Sequence, residues 1–440
     1  MTDESLSPDM LSTFAQEFDA DTAARIVQNA VTETPVTKVA MDRRIVTSID
    51  PSMSVKVDTW ATTNQKKSGR CWLFSGLNAF KPAVNEATGL KSFEFSQNYQ
   101  HFWDKLEKAN YFLTSMIELA DRDIDDRTVH YLLSDPIGDG GQWNMFVALV
   151  KKYGVVPKYA MPETESSSNT HNMNRTLEML LRRGARDVRK AVADGNDAHA
   201  VKTSVMQQVY RVLAIHLGTP PTSFIWQWED KDGKFHRHGE VTPQEFAQLY
   251  VPDLDEYVCL VNDPRETSPM NRLFTVDRLG NVVGARPVTY LNVPVEVIRS
   301  ATVATLQDGQ PVWMGCDTSK QCDRERGIWD GNLYDYEGTY GIDLEMTKAE
   351  ELEFGEAMMT HAMVFTGVDL VNGEPRRWRV ENSWGKDIAD KGFFTMNDSW
   401  FDQHVFEVAV HRSRLSAELL AVLDEEPIML PAWDPMGSLA

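Results

Sequence analysis

Gln65-Lys66-Lys67-Ser68-Gly69-Arg70-Cys71-Trp72-Leu73-Phe74 is a polar, glycine-containing turn that runs directly into large apolar residues. Leu77, Ala79 and Phe80 continue the apolar run. The pattern predicts a loop entering a buried helix, with Cys71 in its first turn. Unpaired backbone N–H groups and the positive end of the helix dipole meet a thiol there, and both favour the thiolate. Such a thiol becomes a nucleophile when a base takes its proton, a third group orients the base, and donors await an oxyanion.

His361 is the best base. It opens the apolar run His361-Ala362-Met363-Val364-Phe365, so a rigid strand would project it. Asn382 lies 382 − 361 = 21 residues on, in Asn382-Ser383-Trp384-Gly385. A hairpin of that length would set Asn382 beside His361, where it accepts the imidazole N–H while Trp384 shields the bond. Gln65, six residues before Cys71, would aim its side-chain NH₂ at the same place as the Cys71 amide, forming an oxyanion hole. Singly, Cys71 reads as a small buried hydrophobe, His361 as a structural strand residue and Asn-Ser-Trp-Gly as a turn. Their joint occurrence in this order points to nucleophilic catalysis. Cys259 and Cys316 lie in apolar strands and read as core, whereas Cys322 sits in a loop without an evident partner. His236 and His238 alternate on a hairpin and read as a solvated face before a metal site. His404 and His411 are the competing bases.

The 440 residues exceed one typical domain, and 42% hydrophobic residues supply a substantial core. Lys+Arg 44 against Asp+Glu 65 gives a net charge of −21, which argues against nucleic-acid binding through a basic face. No secretory signal and no membrane span are expected, so a cytoplasmic, reducing setting with free thiols follows. The cysteines lack zinc-type spacing; neither metal nor cofactor is expected.

The chain reads in five parts. Residues 1–60 form an N-terminal helix, capped by Ser12 or Thr13, and a wrapping arm. Residues 61–159 form a helical lobe with Cys71. Residues 160–290 look inserted: a polar linker or exposed loop over 162–174, two amphipathic helices, and a hairpin over 224–238. Residues 291–423 form an antiparallel β lobe with His361 and Asn382. Residues 424–440 hold three prolines beside Ile428, Met429, Leu430 and Trp433, too apolar for a free tail, so this arm is expected to dock.

Gln65 with Gly69-Arg70-Cys71-Trp72, His361 and Asn382-Ser383-Trp384-Gly385 resembles the papain superfamily. Arg70 stands where the general papain pattern has Ser or Ala, and His361 lies 361 − 71 = 290 residues after Cys71, about twice the usual papain separation. Both departures are similar to the branch of bleomycin hydrolases and bacterial aminopeptidases C. So are Gln97-Asn98-Tyr99, Asp139-Gly140-Gly141-Gln142-Trp143, Leu260-Val261-Asn262-Asp263-Pro264 and Pro431-Ala432-Trp433-Asp434-Pro435-Met436-Gly437. The resemblance implies an α+β papain-like fold with an inserted hook, a homohexamer with inward-facing sites, and a C-terminal arm in the cleft. It further implies a cysteine aminopeptidase of peptides, with bleomycin-hydrolase-like amidase activity, in which Ala440 holds the substrate N-terminus. The rivals are an endopeptidase or a thiol acyltransferase using the same Cys-His-Asn site, and, in another class, a nucleic-acid-binding scaffold.

Overall fold

The computed structural model describes residues 5–58 and 60–438; Ala440, expected at the substrate N-terminus, lies outside them. The elements follow their local signals. Ser96 caps the long helix Gln97–Glu118, its hydroxyl accepting the Tyr99 N–H. Helix Trp143–Tyr153 stops at Gly154, whose φ of 72° needs no Cβ. Thr242, Pro243 and Glu245 start helix Pro243–Tyr250 with a reciprocal capping box.

Two local expectations change. The first helix is Pro8–Ala20, capped by Ser7 with proline at its first position, not by Ser12 or Thr13. Thr13 instead bonds the Asp9 carbonyl from within the helix. The stretch 162–174 is no exposed linker. Thr164 and Ser167 cap each other around the short helix Glu165–Ser168, and Glu163 takes the Arg70 guanidinium through both oxygens. The Lys67 N–H then donates to the Ser168 carbonyl and the Thr170 N–H to the Lys67 carbonyl, which fastens this segment to the turn before Cys71. Its polar composition serves caps and ion pairs rather than water.

The architecture is α+β. A twelve-stranded sheet forms the β side. Its central strands run in the order Tyr257–Val261, Val405–His411, Val312–Cys316, His361–Val371, Glu374–Glu381 and Phe393–Asn397, each antiparallel to the next. Strands Thr289–Asn292 and Arg272–Val276 extend one side, and Ile428–Leu430 from the C-terminal arm adds to it in parallel. One core joins the Cys71 helix to the helices behind it through Trp72, Phe102, Phe146 and Leu177. A second lies beneath the sheet around Trp329, Trp378, Trp400 and Phe401.

Helix Cys71–Ala79 lies on strand His361–Val371, with the Ser75 hydroxyl donating to the Ala362 carbonyl at 2.9 Å. Lys81 and Glu381 make a fully buried ion pair across the same seam at 2.6 Å. Helix start and sheet are thereby held in one register, and the candidate site forms where they meet.

Candidate active site

Cys71 is the first residue of its helix, and Arg70 before it makes no side-chain cap. The guanidinium is committed elsewhere: to Glu163, to the Ser68 hydroxyl at 2.9 Å, and over the Phe74 ring at 5.1 Å. The first-turn N–H groups are therefore not taken by a capping side chain. Yet the thiol is only 2% exposed. Burial pushes it up to about 11, against the opposing pull of the Ala362, Trp72 and Cys71 amides. The expected position is observed, but desolvation outweighs the helix start and works against the thiolate. The Ala362 amide places the sulfur beside the residue that follows His361.

His361 begins its strand, paired with Cys316. The hairpin register that sets Val364 opposite Glu381 returns the chain so that Asn382 Oδ1 lies 2.9 Å from His361 Nε2. The same oxygen accepts the Ser383 N–H at 2.7 Å, which fixes the amide with its oxygen toward the ring. An acceptor at Nε2 keeps the proton there and leaves Nδ1 basic. Trp384 stacks on the imidazole with centroids 5.0 Å apart, and Arg324 covers Trp384 at 4.5 Å. Burial lowers His361 to about 4, although the Asn382 bond works the other way. Burial thus disfavours the charged form of both thiol and imidazole, and the Asn382 amide lies behind the ring.

Gln65 is buried where the 65–71 turn meets the end of strand Glu374–Glu381. Its Oε1 accepts from the Ser383 hydroxyl at 2.5 Å, and its backbone N–H donates to the Ser383 carbonyl at 2.8 Å. Nε2 gives one hydrogen to the Ser68 carbonyl at 2.6 Å and retains a second.

The C-terminal arm docks. Arg265 grips Asp434 at 2.8 Å, Tyr290 donates to the Met436 carbonyl at 2.8 Å, and Trp433 lies under the Arg127 guanidinium. Gln142 Nε2 donates to the Ser438 carbonyl at 2.7 Å, and the Ser438 hydroxyl donates to the Met359 carbonyl. Met359 is two residues before His361, so the last described residue reaches the edge of the Cys-His-Asn cluster.

The competing candidates are accounted for. Cys259 donates to Asn144, Cys316 lies in the sheet, and Cys322 donates to the Thr318 carbonyl. His236 pairs with Asp230 and stacks on Trp228; His411 bonds Ser413. His404 is buried, and burial takes it down to about 3. Among the described residues no group of His, Cys, Asp and Glu could hold a metal ion, and no helix is long and apolar enough to cross a membrane. Sequence reasoning gave no role to Ser383, Gln142, Glu163 or Asp139. Ser383 stood inside a motif already singled out; the others touch the site only through the fold.

A profile of the peptidase C1-like family matches residues 5–437. Aminopeptidase C of Listeria innocua is 46% identical over 421 residues, covering 95% of this chain and 94% of that protein. Human bleomycin hydrolase is 40% identical over 454 residues, spanning both chains completely. The crystal structure of PepW from Lactobacillus rhamnosis superposes with a TM-score of 0.98 at 42% identity, over 99% of this chain and all of that one.

Proposed function

This chain belongs to the peptidase C1-like family and is a papain-like cysteine aminopeptidase, and we propose that Cys71 is its nucleophile, His361 its base, Asn382 the residue that orients His361, and Gln65 with the Cys71 amide its oxyanion hole. The observation that carries the assignment is the 2.9 Å bond between His361 and Asn382, buried beneath Trp384 and set by the sheet register against the Cys71 helix.

Cys71 Sγ adds to the scissile carbonyl carbon of a peptide while its proton passes to His361 Nδ1. The carbonyl electron pair moves onto oxygen, which the second Gln65 Nε2 hydrogen and the Cys71 N–H receive. Collapse expels the amine, protonated by His361, and leaves a thioacyl-enzyme. Water, deprotonated by His361, then adds to the thioester and releases the acid and the thiol.

The docked arm supports selection of free N-termini. Its last described residue, Ser438, is bonded to Gln142 and Met359, and in this reading the Ala440 carboxylate would meet the substrate α-ammonium one residue from Cys71. At about 4 Å and an effective dielectric of about 20 the gross attraction is roughly 4 kcal/mol. A peptide amide or a bleomycin-like amide beside a free amine satisfies the same rule. The proposed functional division is an N-terminal arm over 1–60, a helical lobe over 61–159, an inserted hook over 160–290, a β lobe over 291–423 and the selecting arm over 424–440.

A homohexamer is part of this reading. Helix Pro8–Ala20 buries none of its residues and presents Met10, Leu11, Phe14 and Phe18 to solvent, an apolar face suited to another copy of the chain. Four free cysteines suit a reducing cytoplasm, and the net charge of −21 disfavours nucleic-acid partners.

The test is a chain lacking residues 438–440, assayed with free and N-acetylated peptides beside Cys71→Ala. The full chain should release N-terminal residues and leave acetylated peptides intact, whereas the shortened chain should cut acetylated peptides internally. Cleavage of acetylated peptides by the full chain would overturn selection by the arm, and activity in Cys71→Ala would overturn the nucleophile.

A further inference from the structure

The motif Asp139-Gly140-Gly141-Gln142-Trp143 carries one residue whose bonds converge on both sides of Cys71. Asp139 Oδ2 accepts the Gly69 N–H at 3.0 Å, two residues before the thiol. The Asp139 carbonyl accepts the Trp72 indole N–H at 2.8 Å, one residue after it. Two glycines permit the approach. A Cβ on Gly69 would lie 2.9 Å from the Asp139 Cβ, and one on Gly141 would enter the Trp72 ring at 2.4 Å.

The carboxylate is itself fixed from the far side. Lys105 Nζ reaches Oδ1 at 2.6 Å, Asn174 donates to the same oxygen at 2.7 Å, and the Thr170 hydroxyl donates to Oδ2 at 2.5 Å. Burial opposes its ionisation, but Lys105 and His101, with the bonds from Lys105 and Thr170, more than offset this and hold the carboxyl well below the usual range. Lys108, one turn on from Lys105, donates to the Gly138 and Gly140 carbonyls and lies over Trp72 at 5.3 Å. A buried charged cradle thus sets the height of the Gly69-Arg70-Cys71 backbone, and Gln65 stands on the other arm of that turn.

We infer that Asp139 is a positioning residue for the oxyanion hole, holding the Gly69–Trp72 backbone so that the Cys71 N–H and Gln65 Nε2 converge on one oxygen. This rests on the oxyanion assignment given above. Its signature is selective. Reactions that build negative charge on a carbonyl oxygen need the clamp; a direct displacement at carbon by the sulfur does not. Leucinal, an amino aldehyde with a free amine, tests the first: Cys71 Sγ bonds the aldehyde carbon, and the C=O pair becomes an oxygen that takes up the thiol proton. Iodoacetamide tests the second: an S–C bond forms, iodide leaves, and the thiol proton goes to solvent.

In the full-length protein, Asp139→Asn should lower kcat/KM for an aminoacyl-coumarin by about 10- to 100-fold, the range that misplacement of reacting groups commonly costs. Leucinal affinity should fall by a similar factor, while Cys71 alkylation by iodoacetamide does not slow, since the Asp139 charge is one of the influences that raise the thiol. Thr170→Val, which removes one bond to Oδ2 and spares the Lys105 pair, should show a smaller loss of the same kind and carries the test if Asp139→Asn does not fold. Alkylation slowed as much as turnover, or leucinal binding unchanged in both variants, would overturn the clamp. Gln65→Ala separates the two assignments. If it leaves leucinal binding unchanged, the oxyanion hole falls and the clamp with it; if it weakens binding while Asp139→Asn does not, the clamp alone falls.

Discussion

Gln65 and Ser383 hold each other twice across the site, through the Ser383 hydroxyl on Gln65 Oε1 and the Gln65 N–H on the Ser383 carbonyl. The residue after Asn382 thereby fixes the amide of Gln65, the proposed oxyanion donor. Gln65→Ala should lower kcat by on the order of 10²- to 10³-fold with little change in KM. Ser383→Ala, which frees the amide to turn, should give a smaller loss in kcat. Steady-state kinetics on an aminoacyl-coumarin check both, and an unaltered kcat in Gln65→Ala would remove it from the reaction.

With His361 as the proposed base, its neutral form accepts the thiol proton, so activity should be lost as pH falls through its folded value of about 4. Asn382→Asp places a carboxylate against the imidazole and favours the charged form, raising that value by roughly 1–3 units. The acid limb of the kcat/KM profile should therefore move to higher pH. A limb that stays in place would show that His361 does not govern it.

Gln142 and Met359 pin Ser438 at the cleft. Gln142→Ala should loosen the tip without touching Cys71, His361 or Asn382. The expected result is weaker discrimination between free and N-acetylated peptides, read as a rise in internal cleavage products by mass spectrometry. Unchanged discrimination would assign the grip to Met359 and the more distant Arg265 contact alone.

Glu407 lies under the docked arm beside Tyr290 and Met436, and burial raises it to about 7. Its folded value exceeds its unfolded value, so the stability it contributes is complete below about 4.5 and disappears as pH rises through about 7. Glu407→Gln should match the parent near the lower pH and exceed it in slightly alkaline solution, by up to roughly 3 kcal/mol. Thermal unfolding at both pH values checks the sign.

Lys81 and Glu381 are each almost fully enclosed where the Cys71 helix region meets the sheet. Lys81→Met strands a buried carboxylate one residue before Asn382 and should cost about 3–5 kcal/mol. Lys81→Met with Glu381→Gln should recover part of that loss. Denaturant titration of the single and double variants measures the difference.

The placement of Cys71, His361 and Asn382 was legible because each sits at an element boundary with a local signature: a glycine turn before apolar residues, a histidine opening a strand, an Asn-Ser-Trp-Gly return. The 21-residue spacing carried the hairpin. The protonation state was not legible. Helix-start chemistry alone favours a thiolate, and only the packed structure shows a sulfur 2% exposed, with desolvation the larger effect. The segment 162–174 misled for a related reason. Serine, threonine and asparagine cap and bridge as readily as they face water, and Glu163 finds Arg70 across 93 residues of sequence. Likewise, nothing local marks Asp139 as the partner of Gly69.

The antiparallel pairing of strands His361–Val371 and Glu374–Glu381 also governs when the protein becomes an enzyme. A ribosome adds one residue at a time, and Cys71 emerges 290 residues before His361. For most of synthesis the thiol has neither base nor Trp384 shield, and the exit tunnel must clear Asn382 before the hairpin closes. A nascent chain therefore has no competent protease with which to attack itself or its neighbours. With Cys71 and His361 in the proposed roles, the long interval between them acts as a delay line, and the sheet that ends it permits cleavage only once most of the chain has been made.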